Sequence, residues 1–105
     1  MLRSFLPVCL LALAASAASP ANHEIVQNDR AFSQQEITIK LGDQITFKNG
    51  DEVTHNVYSV TPGMTFDLRR QAPGKSSSVP FLREGTSEVQ CSIHPKMKLI
   101  VHVTK

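Results

Sequence analysis

Apolar and polar positions alternate through much of the chain. In "EITIKL", Ile37, Ile39 and Leu41 are separated by Thr38 and Lys40, the period of a strand with one buried face. Gly42-Asp43 turns the chain, and Ile45 and Phe47 then alternate with Thr46 and Lys48 as far as a second turn signal, Asn49-Gly50-Asp51. "VTHNVYSV" is rich in β-branched and aromatic residues and stops at Thr61-Pro62-Gly63. "TFDLRRQAPGKSSSVPF" predicts a short strand, a Pro73-Gly74 turn and a strand ending near Phe81. After Glu84-Gly85, "SEVQC" and "KLIVHVTK" read as the last two strands, and "EIVQND" around Ile25 reads as the first. No stretch carries a helical period. Short strands with frequent turns predict an all-β protein, a Greek-key β-sandwich, with Tyr58 and the phenylalanines in its core.

The N-terminus has a different pattern. "MLRSFLPVCLLALAASAASPA" starts with a cation at Arg3, continues apolar from Phe5 to Ala15 and ends in small residues. That layout predicts a secretory signal peptide over residues 1–21, cut after residue 17, 18 or 21, and a domain over 22–105. The run is shorter than the roughly 20 apolar residues a spanning helix needs. The expectation is an exported protein of the bacterial periplasm, a monomer, with no membrane insertion once the leader is removed. Cys91 would then be the only remaining cysteine of the two in the chain. A lone thiol in an oxidising compartment is buried, reactive or bound to metal.

Lys and Arg number 11 against 9 Asp and Glu. Removing Arg3 leaves a mature charge of about +1, which is not the balance of a nucleic-acid binder. Phosphate- and dinucleotide-binding glycine patterns are absent from the sequence, as are internal repeats.

The candidate chemistry lies in "VQCSIHPKMKLIVHV". Cys91, His94 and Met97 follow one another at intervals of three, and Pro95 stiffens the loop between them. A thiolate, an imidazole and a thioether aimed at one point suit copper, and two His with one Cys and a weak axial Met form an electron-transfer copper site. A second histidine is needed. His55, at the start of "HNVYS", is the best placed; His23 and His102 are weaker choices. Other readings stay open. Cys91 could be a small buried hydrophobe. It could be a nucleophile paired with His94, although the sequence reveals no third group to orient the base and gives Met97 no part. A zinc site would make poor use of a thioether. Met64 reads as loop or core, or as lining of the apolar surface near the metal.

At this point the chain resembles a family. "CSIHPKM" with the upstream "HNV" of residues 55–57 and "LGDQITFKN" is similar to the cupredoxins, the blue type 1 copper proteins, and most of all to the amicyanin-like proteins of methylamine utilisation. The likeness covers roughly Glu36 to Val103. It implies a cupredoxin-like sandwich holding one copper ion that cycles between Cu(I) and Cu(II). His55, Cys91 and His94 would be equatorial ligands and Met97 the weak axial one. Asn56 would tie its strand to the cysteine loop. The ring edge of His94 would be the electron port, with His94, Pro95 and Lys96 as the partner surface. Lys96 stands where the family often has an aromatic residue, which alters that surface. The function implied is electron transfer between redox protein partners, not enzymatic catalysis. The alternative is a periplasmic copper chaperone or store.

Overall fold

A computed structural model describes Ser4 and residues 19–105 of the chain. The predicted leader's apolar run, Phe5 to Ala15, and Cys9 lie outside the described residues. Among the described residues no helix is long and apolar enough to cross a membrane.

The described chain is all-β. Its strands are β1 (Asn22–Asn28), β2 (Ala31–Phe32), β3 (Glu36–Lys40), β4 (Gln44–Asn49), β5 (His55–Ser59), β6 (Phe66–Gln71), β7 (Ser76–Pro80), β8 (Gly85–Cys91) and β9 (Lys98–Thr104). One sheet has the order β2-β1-β4-β7, the other β3-β9-β8-β5-β6. β1 runs parallel to β4 and β3 parallel to β9, while the remaining neighbours are antiparallel. The predicted sandwich is therefore present, closed by two parallel pairings between strands that are not consecutive.

The turns are those the sequence marks. Met64 N donates to Thr61 O at 2.9 Å across Pro62-Gly63, and Lys75 N to Ala72 O at 3.0 Å across Pro73-Gly74. Proline presets the first corner of such a turn, and glycine accepts the positive φ of the second, 78° at Gly63 and 85° at Gly74.

The inward faces of the two sheets supply the core: Ile25, Ile39, Ile45, Phe47, Val57, Val89, Leu99 and Val101 are at most 2 % exposed. Phe47 lies at its centre, 6.4 Å from Phe32 and 6.0 Å from Phe66 between ring centroids. Phe66 in turn meets Phe81 edge-on at 6.2 Å.

Three expectations need correction. Leu41 is 44 % exposed, because β3 ends at Lys40 and the turn at Gly42 takes Leu41 off the sandwich. Tyr58 is on the outer face of β5, half-buried, with its hydroxyl donating to Gln90 Oε1 at 3.1 Å. Only the alternate residues His55, Val57 and Ser59 point inward. Met64 packs against the edge of the core, as its loop-or-core reading expects, and only the alternative fails: it lies against Gly85, at the end of β8 opposite to Cys91, and does not line the surface near the cysteine loop. The two-residue β2 was not anticipated. It pairs with β1 through a two-residue turn at Asp29-Arg30, whose φ values of 50° and 54° give the hairpin its primed twist without the usual Asn-Gly signature.

Candidate metal centre

Strand pairing carries the site. β5 and β8 are antiparallel neighbours with Val57 opposite Cys91. Cys91 is the last residue of β8, His55 the first of β5, and both face inward. Beyond Cys91 the chain leaves the sheet for six residues and returns as β9. Within that loop Met97 N donates to His94 O at 3.0 Å, closing a turn with Pro95 at its first corner. The turn holds His94 over Cys91 and starts the buried Met97 back into the core.

Two imidazoles and the thiol converge. Cys91 Sγ is 3.7 Å from His55 Nδ1 and 3.8 Å from His94 Nδ1, and the two Nδ1 atoms are 3.1 Å apart. A point in the plane of these atoms lies about 2.1 Å from each, within the roughly 2.0–2.3 Å over which imidazole and thiolate bind a transition metal. His55 is 0 % and Cys91 1 % exposed, while His94 is half-buried. Met97, 2 % exposed, enters the core from the same loop. The three measured donor atoms fit a copper ion in distance, and with Met97 the set fits it in donor softness. His23 and His102 lie elsewhere. His23 Nε2 pairs with Asp43 Oδ2 at 2.9 Å. His102, on the outer face of β9, pairs with Glu36 and contacts Thr86 Oγ1 at 3.3 Å.

The donors are aimed by neighbours. Asp51 Oδ2 lies 3.0 Å from His55 Nε2 and accepts Arg30 N–H at 2.8 Å. The Arg30 amide, with His55 and the Glu52 N–H, holds the Asp51 carboxyl down at about 2, against the opposing cost of desolvation. An ionised carboxylate can only accept. Nε2 of His55 therefore carries the proton, and Nδ1 turns a lone pair toward Cys91 and His94. Asp51 is the orienting group that sequence reasoning missed. The triplet Asn49-Gly50-Asp51 read as a turn alone, yet an aspartate four residues before a histidine was available as a signal.

Asn56 joins β5 to the cysteine loop three times. Its backbone N–H donates to Cys91 Sγ at 3.3 Å, its carbonyl accepts Ser92 N–H at 3.2 Å, and its Oδ1 accepts the Ser92 hydroxyl. Its Nδ2 donates to Asp67 Oδ1 at 2.8 Å. That amide, followed by Arg69 N–H, holds the Asp67 carboxyl below the ordinary carboxylate range.

A β-sandwich that gathers two imidazole nitrogens and a cysteine sulfur at one end, with a buried thioether in the same loop, is the architecture of a cupredoxin-type copper protein. The chain belongs to the plastocyanin/azurin family of copper binding proteins, whose family model it matches over residues 20–104. It is 33 % identical over 84 residues to the methylamine utilization protein MauL of Methylophilus methylotrophus, an alignment covering 76 % of this chain and 48 % of MauL. It thus spans about half of that relative's length. Plastocyanin of Sambucus nigra is 32 % identical over 85 residues, 70 % of this chain and 86 % of the plastocyanin. Among solved structures, a reduced amicyanin mutant superposes with a TM-score of 0.72 at 26 % identity, covering 85 % of this chain and 87 % of amicyanin. The family's cofactor is one copper ion, which the donor set described here fits.

Proposed function

We propose that the protein is an exported electron shuttle. His55 Nδ1, Cys91 Sγ and His94 Nδ1 would hold one copper ion, with Met97 as a weaker sulfur donor from the same loop, and the ion would supply single-electron exchange with redox proteins. The observation that carries this reading is the triangle of 3.1, 3.7 and 3.8 Å formed by the three donor atoms. Bound copper supplies a one-electron couple, and thiolate with thioether suits its Cu(I) state.

The chain's own part is to keep the donors still. His55 is locked by burial and by Asp51, and Cys91 by its place in β8 and by the Asn56 N–H. The turn closed at Met97 fixes His94. Of the four side chains His94 is the one that reaches solvent. Around it, Arg30, Ile93, Pro95 and Lys96 line a cavity of about 310 Å³. Ile93 is 48 % exposed there. We read His94, Pro95 and Lys96 as the partner face. With Arg30 and Lys96 as its charged members, it suits a partner that presents carboxylates around an apolar contact.

The nucleophile reading gains the orienting carboxylate it lacked, since Cys91, His55 and Asp51 form a chain of contacts. Burial decides against it: a sulfur in a residue 1 % exposed, against an imidazole in one 0 % exposed, offers a substrate no approach. Calibrated addition of Cu(II) to the purified protein tests the proposal. An intense visible thiolate-to-copper band is expected, bleached by ascorbate and lost in His55→Ala. A colourless copper complex would refute it. A copper store or chaperone would show slow oxidation of the Cu(I) form by ferricyanide, whereas a shuttle would show fast oxidation.

A further inference from the structure

β5 and β6 do not pair regularly. Asn56 is opposite Arg70 and Tyr58 opposite Asp67, so two steps along β5 match three along β6. The extra residue makes a β-bulge, and Arg69 takes φ 58° to form it. A side chain other than Gly, Asn or Asp seldom adopts that conformation. Bulges re-aim side chains, and strained residues persist where their surroundings hold them.

The holding group here is Asp67. One oxygen, Oδ1, accepts Arg69 N–H at 2.7 Å and Asn56 Nδ2 at 2.8 Å. The first bond fixes the bulge. The second fixes which way the Asn56 amide faces, because with Nδ2 committed to Asp67 its Oδ1 is turned to the Ser92 hydroxyl. Ser92 directly follows Cys91, and its N–H is bound to the Asn56 carbonyl. The backbone N–H of the same asparagine points at Cys91 Sγ. The contacts thus run from Asp67 through Asn56 to the cysteine sulfur and to the residue that follows it.

We infer that Asp67 is a positioning residue for the Cys91 sulfur: by bracketing the bulge and the Asn56 amide it sets the N–H···S bond and the start of the His94 loop. Nothing in the local sequence marks it, since "TFDLRR" reads as an ordinary exposed strand. The role needs an oxygen acceptor and not a charge, so Asp67→Asn, with its amide oxygen at the same place, should preserve it and Asp67→Ala should not.

The inference has two arms, of which only the second rests on the copper reading. In the metal-free protein, amide hydrogen exchange is read for Asn56 and Ser92 against the inner-strand amides of Val89 and Leu99. In Asp67→Ala, Asn56 and Ser92 should lose protection roughly tenfold, about what one hydrogen bond contributes, while Val89 and Leu99 hold theirs. Asp67→Asn should restore it. In the Cu(II)-loaded protein, Asp67→Ala should shift the position and relative intensity of the thiolate-to-copper band, and Asp67→Asn should return it to the parent spectrum. Loss of protection shared equally by all four amides would make Asp67 a stabilising residue only and overturn the inference. So would an Asn variant that behaves like the Ala variant. A parent protein without any coloured band would refute the copper reading, and the exchange arm would still decide the role of Asp67.

Discussion

Replacing Asp51 with alanine tests how the site is aimed. In the parent, Asp51 Oδ2 meets both the Arg30 amide and His55 Nε2, at 2.8 and 3.0 Å. His55 is fully buried, so its Nε2–H has no solvent to turn to once the carboxylate is removed. Leaving a buried donor unpaired costs about 1–3 kcal/mol. The ring can avoid that cost by moving its proton to Nδ1, but Nδ1 is the atom 3.7 Å from the Cys91 sulfur and 3.1 Å from His94 Nδ1. The metal would then have to displace a proton from the very donor it needs. Removing a group that orients a ligating histidine typically lowers metal affinity about 10–100-fold, and that is the expected loss for Asp51→Ala. Asp51→Asn, which keeps an acceptor oxygen, should lose less. Competition titrations against a copper chelator, run beside urea unfolding of the metal-free protein, give both quantities. If Asp51→Ala lowers metal-free stability while copper affinity stays within twofold of the parent, the tautomer argument is wrong and Asp51 merely ties the loop to the Arg30 turn.

Other outcomes follow from the same geometry. Met97→Ala removes a side chain 2 % exposed and should cost about 2–5 kcal/mol in urea unfolding, with a changed but surviving coloured band in the copper form; loss of all colour would mean Met97 does more than complete a weak axial contact. Asp43, held at about 2 chiefly by its hydrogen bond with His23 and then by the Ala21 and Lys40 amides, is depressed by folding. Its contribution is therefore complete above an ordinary carboxylate pKa near 4 and is lost as pH falls toward 2. Urea midpoints of parent and Asp43→Asn should differ at pH 5 and converge by pH 2, and a difference that grows on acidification would reverse the assigned sign. Replacing Gln27 and Gln71 together by Leu removes both partners of one buried bond and the unpaired Gln27 Oε1, and leaves only Phe47 O without its Gln71 donor, so the unfolding free energy from urea titration should fall by no more than the roughly 1–3 kcal/mol of one unsatisfied group. The copper band of that double variant should nonetheless broaden, and an unchanged band would show that the sheets need no polar tie at this end.

What could be read from the sequence was whatever depends on period and on local turn chemistry. Ile45 and Phe47 alternate because β4 has one inner face, and Pro-Gly pairs mark turns because their backbone angles are built in. Leu41 was misplaced because an alternating pattern has no end of its own; the end is set by Gly42. β2 escaped because two residues carry no period. The approach of His55 to Cys91, 36 residues apart, is a matter of sheet order that periodicity does not give; His55 was legible from its place at a strand start just after a turn, and the resemblance to a family agreed with it. Asp67 was out of reach for a related reason, and Asp51 carried only the faint signal of its place four residues before His55. Each acts through a contact to a neighbouring element, and an acid in a turn or on an exposed strand looks like any other solvated charge.

The core itself changes character toward the metal end, and the change bears on why the donors stay in place. Away from it the sheets meet through Ile39, Ile45 and Val101, which attract without direction. Near the site, buried polar groups replace them. Gln71, the register partner of His55, donates to Phe47 O in the opposite sheet and accepts from Gln27 Nε2, both at 3.2 Å. Asn49 of that same opposite sheet donates to Gln71 O and to Val53 O, at 2.9 Å each, and its Oδ1 accepts Asp51 N–H. Such bonds add little net stability, but unlike apolar contacts they are met at only one offset of the two sheets. Sliding one sheet by an ångström would leave those apolar contacts nearly intact and would break Gln71 from Phe47. Through Asn49 the same slide would move Asp51, and with it the proton on His55. The sandwich thus fixes its relative sheet position most tightly at the end where a few tenths of an ångström decide whether three donor atoms share one ion.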